Sequence, residues 1–175
     1  MRKCLGIALA SLLAALTHAA FAGDGGSLFN GKDLDGWKTK EGEKLTGKTE
    51  AYGGRFKVAD GALVIDPKVK GDKYIYTTRE FTKDVVLSFE FKPGEGCNND
   101  LFFKGNKFDI KAGGKAGLKS VKVDEWNTIV ITAKGDNVEF KINGTVEKAG
   151  KAKTDNTFGL RAEFGPIAIK KFEAK

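Results

Sequence analysis

From Arg55 to the C-terminus, short runs of apolar residues are separated by Gly, Asp, Asn and Pro. Alternation of apolar and polar positions marks a strand with one buried face, because successive side chains of an extended backbone point to opposite sides. The clearest case is Val85 to Lys92, where Val85, Leu87, Phe89 and Phe91 alternate with Val86, Ser88 and Glu90. Comparable runs predict strands at Phe56 to Val58, Ala62 to Ile65, Tyr74 to Thr78, Leu101 to Phe103 and Phe108 to Lys111. Further strands are predicted at Lys119 to Val123, Trp126 to Lys134, Val138 to Ile142, Phe158 to Phe164 and Ile167 to Phe172. Asp60-Gly61 and Gly135-Asp136 link neighbouring runs, and Asn143-Gly144 is a strong two-residue hairpin signal, since both central positions require positive φ. Lys38 to Gly54 is polar and glycine-rich, without a period, and reads as a long surface loop. No stretch after Gly23 keeps a helical apolar period over three turns. The pattern therefore predicts an all-β fold, an antiparallel jelly-roll or related sandwich with one face of each sheet buried.

The N-terminus is different. Arg2 and Lys3 precede an apolar run from Leu5 to Leu16, and Ala20-Phe21-Ala22 stands before Gly23, the small-residue pattern of a secretory cleavage site. The run spans about 12 residues, short of the roughly 20 that cross a bilayer as a helix. Cys4 precedes the run, so it is not placed for lipid attachment at a new N-terminus. The expectation is a signal peptide over 1–22, a flexible lead over 23–27 and one β-sandwich domain over 28–175. The product is expected to be periplasmic or secreted, without a membrane anchor.

Removal of that segment changes the chemistry open to the protein. It takes His18 and Cys4, leaving Cys97 as the sole cysteine and no histidine. Ser-His-Asp and Cys-His mechanisms are excluded, as are zinc sites built on imidazole. A lone cysteine forms no intrachain disulfide, and with no histidine to activate it Cys97 reads as a plain free thiol. The formal net charge falls from +7 to +5, with 28 Lys and Arg against 23 Asp and Glu. The lysines are scattered along the chain with no basic stripe, so no nucleic-acid partner is expected. Asp33-Leu34-Asp35-Gly36 places two carboxylates before a glycine, but a calcium loop takes about six or more oxygens. It reads as a turn into Trp37, and neither a metal nor a cofactor is expected. Trp37 and Trp126 read as packing residues.

Three segments resemble one family. Leu28-Phe29-Asn30-Gly31-Lys32-Asp33-Leu34-Asp35-Gly36-Trp37 looks like the opening of the bacterial 3-keto-disaccharide hydrolase domain family. Glu125-Trp126-Asn127 with Ile129, Ile131 and Ile142-Asn143-Gly144 is similar to its core, and Phe158-Gly159-Leu160 through Ile167, Ile169 and Phe172 resembles its closing strands. The resemblance implies a sandwich of the concanavalin A-like lectin/glucanase type, and action on oxidised glycosides with a glycan or disaccharide as partner. Members carry an Asn-Ser-Gly-Ile…Arg stretch followed by Glu-x-Gln-Ile…Asp. The corresponding residues here are Asn98-Asn99-Asp100-Leu101-Phe102-Phe103-Lys104 and Lys107-Phe108-Asp109-Ile110, with Lys104 at the arginine and Lys107 at the glutamate. The loop that follows is short, about Ala112 to Lys119.

The same region stands out from its residues alone. Asn98, Asn99, Asp100, Lys104 and Asp109 put amides, carboxylates and a cation beside Phe102, Phe103 and Phe108. Sugar sites combine polar groups with flat aromatic faces in this way. The candidate catalytic residues are Asp109 and Lys104, with Asn98, Asn99, Asp100 and Phe102 binding substrate. A plainer alternative makes Asn98-Asn99-Asp100 a turn and the phenylalanines core. Glycoside hydrolysis ordinarily uses two carboxylates, and Glu90, Asp100 or Glu163 could partner Asp109. A 3-keto sugar, with acidified C–H bonds beside the ketone, could instead be cleaved by one base and one carbonyl-polarising cation. An exported hydrolase or lyase, a non-catalytic lectin-like module and a purely structural envelope sandwich all remain open.

Overall fold

The computed structural model describes residues 25–175, so the predicted signal peptide lies outside the described residues. Fourteen strands form, beginning with β1 (Gly26–Ser27), β2 (Trp37–Thr39), β3 (Glu50–Ala51), β4 (Phe56–Ala59) and β5 (Ala62–Ile65). The middle of the chain gives β6 (Lys73–Thr77), β7 (Val85–Pro93), β8 (Asn98–Phe103) and β9 (Asn106–Lys111). The last five are β10 (Asn127–Lys134), β11 (Asn137–Ile142), β12 (Thr145–Lys151), β13 (Phe158–Phe164) and β14 (Ile167–Ala174). Among the described residues no helix is long and apolar enough to cross a membrane.

The strands pair antiparallel in two sheets. The larger runs β12-β11-β10-β7-β14-β5-β4-β3, with β1 added against β14, and the smaller runs β2-β6-β13-β8-β9. β7, β10 and β11 alternate buried and less buried positions, so the large sheet turns one apolar face toward the small one. Aromatic rings fill much of the space between them. Phe158 of the small sheet lies edge-on to Phe89 and Phe172 of the large sheet, with ring centroids 6.0 and 4.8 Å away. Trp37 is fully buried against the same rings, and its indole Nε1 donates to the Leu28 carbonyl at 3.0 Å. Toward the other end, Phe108 stacks on Phe140 at 5.0 Å.

The strand pattern predicted from the sequence largely matches, but Gly26–Ser27, expected in a flexible lead, pairs as β1 with the end of β14, and other segments differ as well. Asn98-Asn99-Asp100 is not a turn but the first half of β8, paired residue by residue with Lys111, Ile110 and Asp109. Lys119 to Val123 is turn and coil; it has only two apolar positions to bury, Val121 and Val123. The segment read as one long loop, 38–54, contributes to β2 and β3 and buries Leu45. One edge strand, β12, carried no alternation to find, because most of its residues face solvent.

Phe158 has no exposed surface and touches rings of both sheets. Phe158→Ala is expected to lower the unfolding free energy by about 3–5 kcal/mol, read as a fall in the urea midpoint at unchanged slope. A loss below about 1 kcal/mol would mean that these rings do not hold the sheets together.

Candidate functional site

Opposed residues on neighbouring antiparallel strands point to the same side, so the register of the small sheet sorts its outer face into rows. One row is Lys38, Tyr76, Gly159, Phe102 and Lys107. The next is Tyr74, Arg161, Asp100 and Asp109, and beyond it Phe164, Asn98 and Lys111 stand together. Ile75, Leu160, Leu101 and Phe108 alternate with these and point into the core. Gly159 matters for the first row: a Cβ there would lie 2.6 Å from a ring carbon of Tyr76 and 3.5 Å from Phe102. Its absence lets the tyrosine ring cross the strand. The Tyr74 and Phe102 rings are 6.1 Å apart, and the Arg161 guanidinium carbon lies 5.8 Å from the Tyr74 ring.

The second row is charged, and Asp100 is its centre. Its side chain has no exposed surface, yet Oδ2 accepts from Arg161 at 2.7 Å and sits 3.2 Å from Lys107 Nζ. The same ammonium lies 2.7 Å from Asp109 Oδ1, and Arg161 also reaches Asp72 and Glu163. Burial first, and then the neighbouring Asp109 carboxyl, raise the Asp100 pKa against the pull of Arg161 and Lys107. For Asp109 burial acts in the same upward sense, but its neighbours Asp100 and Lys107 outweigh it and hold the carboxyl below its usual range. Lys107 is held charged chiefly by Asp109, and Arg161 chiefly by Asp72. The pair thus separates into one carboxyl that ionises early and one that keeps its proton longer.

Hydrogen-bonding capacity is left over at this place. Six buried side-chain polar atoms lack a hydrogen-bond partner among the described residues, and four of them belong to Asn98, Asp100, Asp109 and Arg161. The contact from Lys107 to Asp109 Oδ1 is an ion pair off the angle of a hydrogen bond. These atoms are shut off from solvent, so the charged groups of this face that a ligand can reach are Asp109 and Lys107. Among the described residues no three His, Cys, Asp or Glu side chains are grouped so as to hold a metal ion.

Of the residues singled out from sequence, Asn98, Asp100, Phe102 and Asp109 share this face. Asn99 does not. It points inward, 2% exposed, and its amide serves the backbone of Glu163, Phe164 and Gly165. Nor does the structure bring Lys104 to Asp109. Lys104 is the first residue of the two-residue β8–β9 turn, with φ of 50° followed by 67° at Gly105, and there the alternation of the strand ends. Its ammonium is buried, donating to the Phe81 carbonyl and to Asn156 Oδ1 at 2.8 Å, and burial lowers its pKa. The cations beside Asp109 and Asp100 are Lys107 and Arg161 instead. Arg161, Tyr74 and Tyr76 were not singled out from sequence. The available signal was an arginine between Leu160 and Ala162 in an apolar strand, and two tyrosines two residues apart. Cys97 is buried, and its thiol pKa is pushed up to about 11 by burial, leaving it inert. Trp126 lies at the surface under Lys170 Nζ, 3.7 Å from the ring centre.

Two antiparallel sheets packed through aromatic rings, with a polar and aromatic outer face on the smaller, define a sandwich of the concanavalin A-like lectin/glucanase type. A family model described as a 3-keto-alpha-glucoside-1,2-lyase-like domain matches residues 24–119, and the chain belongs to that family. No functionally curated protein matches the chain. Among solved structures, a proposed glycosyl hydrolase from Parabacteroides distasonis is 18% identical, with 86% of this chain and 93% of that chain covered and a TM-score of 0.63. A carbohydrate-binding module from Bacillus subtilis is 12% identical over 81% of this chain and 96% of its own, with a TM-score of 0.54. The lumenal domain of VIP36, in a form bound to calcium and Man3GlcNAc, is 9% identical over 85% and 87%, with a TM-score of 0.58. At these identities the likeness is one of fold.

Lys104→Met leaves the Phe81 carbonyl and the Asn156 amide oxygen without their donor. It is expected to cost about 1–3 kcal/mol of stability in a denaturant titration, with any activity of the protein unchanged. Lost function at unchanged stability would return Lys104 to the site.

Proposed function

We propose that this is an exported carbohydrate-active protein that holds a glycoside on the outer face of its small sheet, with Asp109 as the base acting on a 3-keto sugar. The observation that carries the reading is the pairing of the partly exposed Asp109 and Lys107, 2.7 Å apart, on the same outer face as the rings of Tyr74, Tyr76 and Phe102. Sugar hydroxyls pair with these charged groups, and the C–H faces of the ring pack on the aromatic surfaces. Family membership supports the choice of a 3-keto glycoside. Export rests on the N-terminal sequence, with its charged start, apolar run and Ala20-Phe21-Ala22.

The chemistry follows from which groups a ligand can reach. Asp100 has no exposed surface, whereas the Asp109 side chain is 36% exposed and Lys107 46%. Asp109, favoured in its ionised form, takes the proton from C2 of the sugar, next to the ketone. Charge developing on the ketone oxygen is met by the Lys107 ammonium. The electron pair then forms the C1–C2 double bond as the C1–O bond breaks. The departing oxygen takes the proton from Asp109, which returns to carboxylate. Addition of water across the double bond completes a net hydrolysis and leaves 3-keto-glucose. Asp100 and Arg161 act through Asp109 and Lys107 by fixing their positions and charge.

A second reading is a lectin-like module that binds without turnover. It is favoured by Lys107, a cation standing where the family resemblance expects a carboxylate and already paired with the proposed base. Incubation of the mature protein with 3-keto-trehalose separates the two. Release of 3-keto-glucose, falling about 10²–10⁴-fold in Asp109→Asn, is the expected result. Binding on a glycan array without release would favour the module, and neither signal would overturn both.

A further inference from the structure

Phe164 is 61% exposed, the most exposed large apolar side chain among the described residues. Its orientation follows from a defect in β13. Arg161 is opposed to Asp100, but the next pairing is Phe164 with Asn98, so one extra residue is inserted between them. Glu163 reaches back along the outer face to Arg161, with Oε1 3.2 Å from its guanidinium. Phe164, opposite outward-facing Asn98, is turned to that face as well. Such a bulge re-aims side chains at the end of a strand.

The bulge is held by buried polar groups. Asn99 Oδ1 accepts from the Glu163 amide at 2.9 Å, and its Nδ2 donates to the Phe164 carbonyl at 3.0 Å and that of Gly165 at 3.3 Å. Arg55, 2% exposed, donates to the Glu163 carbonyl at 2.7 Å and to that of Asp66. No carboxylate contacts this guanidinium in the ion pairs of the described residues, and burial lowers its pKa. Gly165 closes the turn, where a Cβ would come within 2.7 Å of the Gly96 and Cys97 backbone. A buried amide and a buried cation are costly to place. Here they support an arrangement whose visible result is an aromatic ring held in solvent.

That ring continues the site. Phe102 and Asn98 are four residues apart on β8, so the Tyr76–Phe102 row and the Phe164 row are separated by about 13 Å along the strand, with the charged row between them. One hexose ring does not bridge that span, whereas linked rings do. Resting on the carbohydrate reading above, we propose that Phe164 is a second stacking platform, which extends the site along the sheet and selects a chain of linked sugar rings over a single sugar. Asn99 and Arg55 are its positioning residues.

The test is calorimetric titration of the mature protein with glucose, 3-keto-glucose and the α- and β-linked gluco-oligosaccharides of two to four units. The wild type is expected to bind more tightly as the chain lengthens. Phe164→Ala should lose about tenfold in affinity for the longer ligands, with monosaccharide affinity and melting temperature unchanged, and Phe164→Tyr should restore the loss. Equal affinity of wild type and Phe164→Ala for every chain length would overturn the proposal while leaving the carbohydrate reading standing. Absence of binding by the wild type to the whole panel would overturn both.

Discussion

A carboxylate with no exposed surface must be neutralised where it sits, and much of the outer face of the small sheet is arranged around that requirement at Asp100. Arg161 arrives from β13 on one side and Lys107 from β9 on the other. Each cation then holds a further acid, Asp109 through Lys107, and Glu163 and Asp72 through Arg161. The result is a line of alternating charge across three strands, fixed by antiparallel register. The group at its centre is inaccessible, so the positions a ligand can reach are those around it. The same arrangement places one carboxyl below its usual pKa and a neighbour above it, the separation that acid–base chemistry uses.

How much of this is legible in the sequence depends on whether the signal is local. Alternation in Val85 to Phe91 marks β7 because burial on one side of a strand imposes a period of two. The Asn143-Gly144 turn is visible for the same local reason, and Asn143 does adopt a φ of 49°. The fold class and the stretch from Asn98 to Asp109 could therefore be found without coordinates. Lys104 illustrates the limit. Alternation carried forward from Asp100 and Phe102 puts it on the outer face, but the chain turns at that residue and its amine is buried under Phe81 and Asn156. Asn99 is similar: its role depends on the backbone of residues 163–165, far away along the chain.

Arg161 and Phe164 were harder still to identify, since they join the site only through pairing of β13 with β8. No spacing in the sequence connects position 161 with position 100. The family match has the same boundary, ending at residue 119 and so covering β8 and β9 but not β13. Arg161 and Glu163 of the charged network thus lie in a part of the chain that the match does not reach. The bulge adds a second obstacle, because an inserted residue reverses the facing expected from simple alternation.

The central claim is that Asp100 and Asp109 titrate as a linked pair with their proton affinities drawn apart. Its sign is definite. Lowered in the folded state, Asp109 stabilises the fold above the unfolded carboxyl range and loses that contribution on acidification; raised, Asp100 favours the fold while protonated and weakens it as the pH climbs. A carboxyl ¹³C NMR titration of the mature protein reads both groups directly. Two linked steps, with Asp109 ionising first and Asp100 keeping its proton beyond the ordinary range, are predicted. Two independent steps near the unperturbed value of about 3.9 would contradict the account.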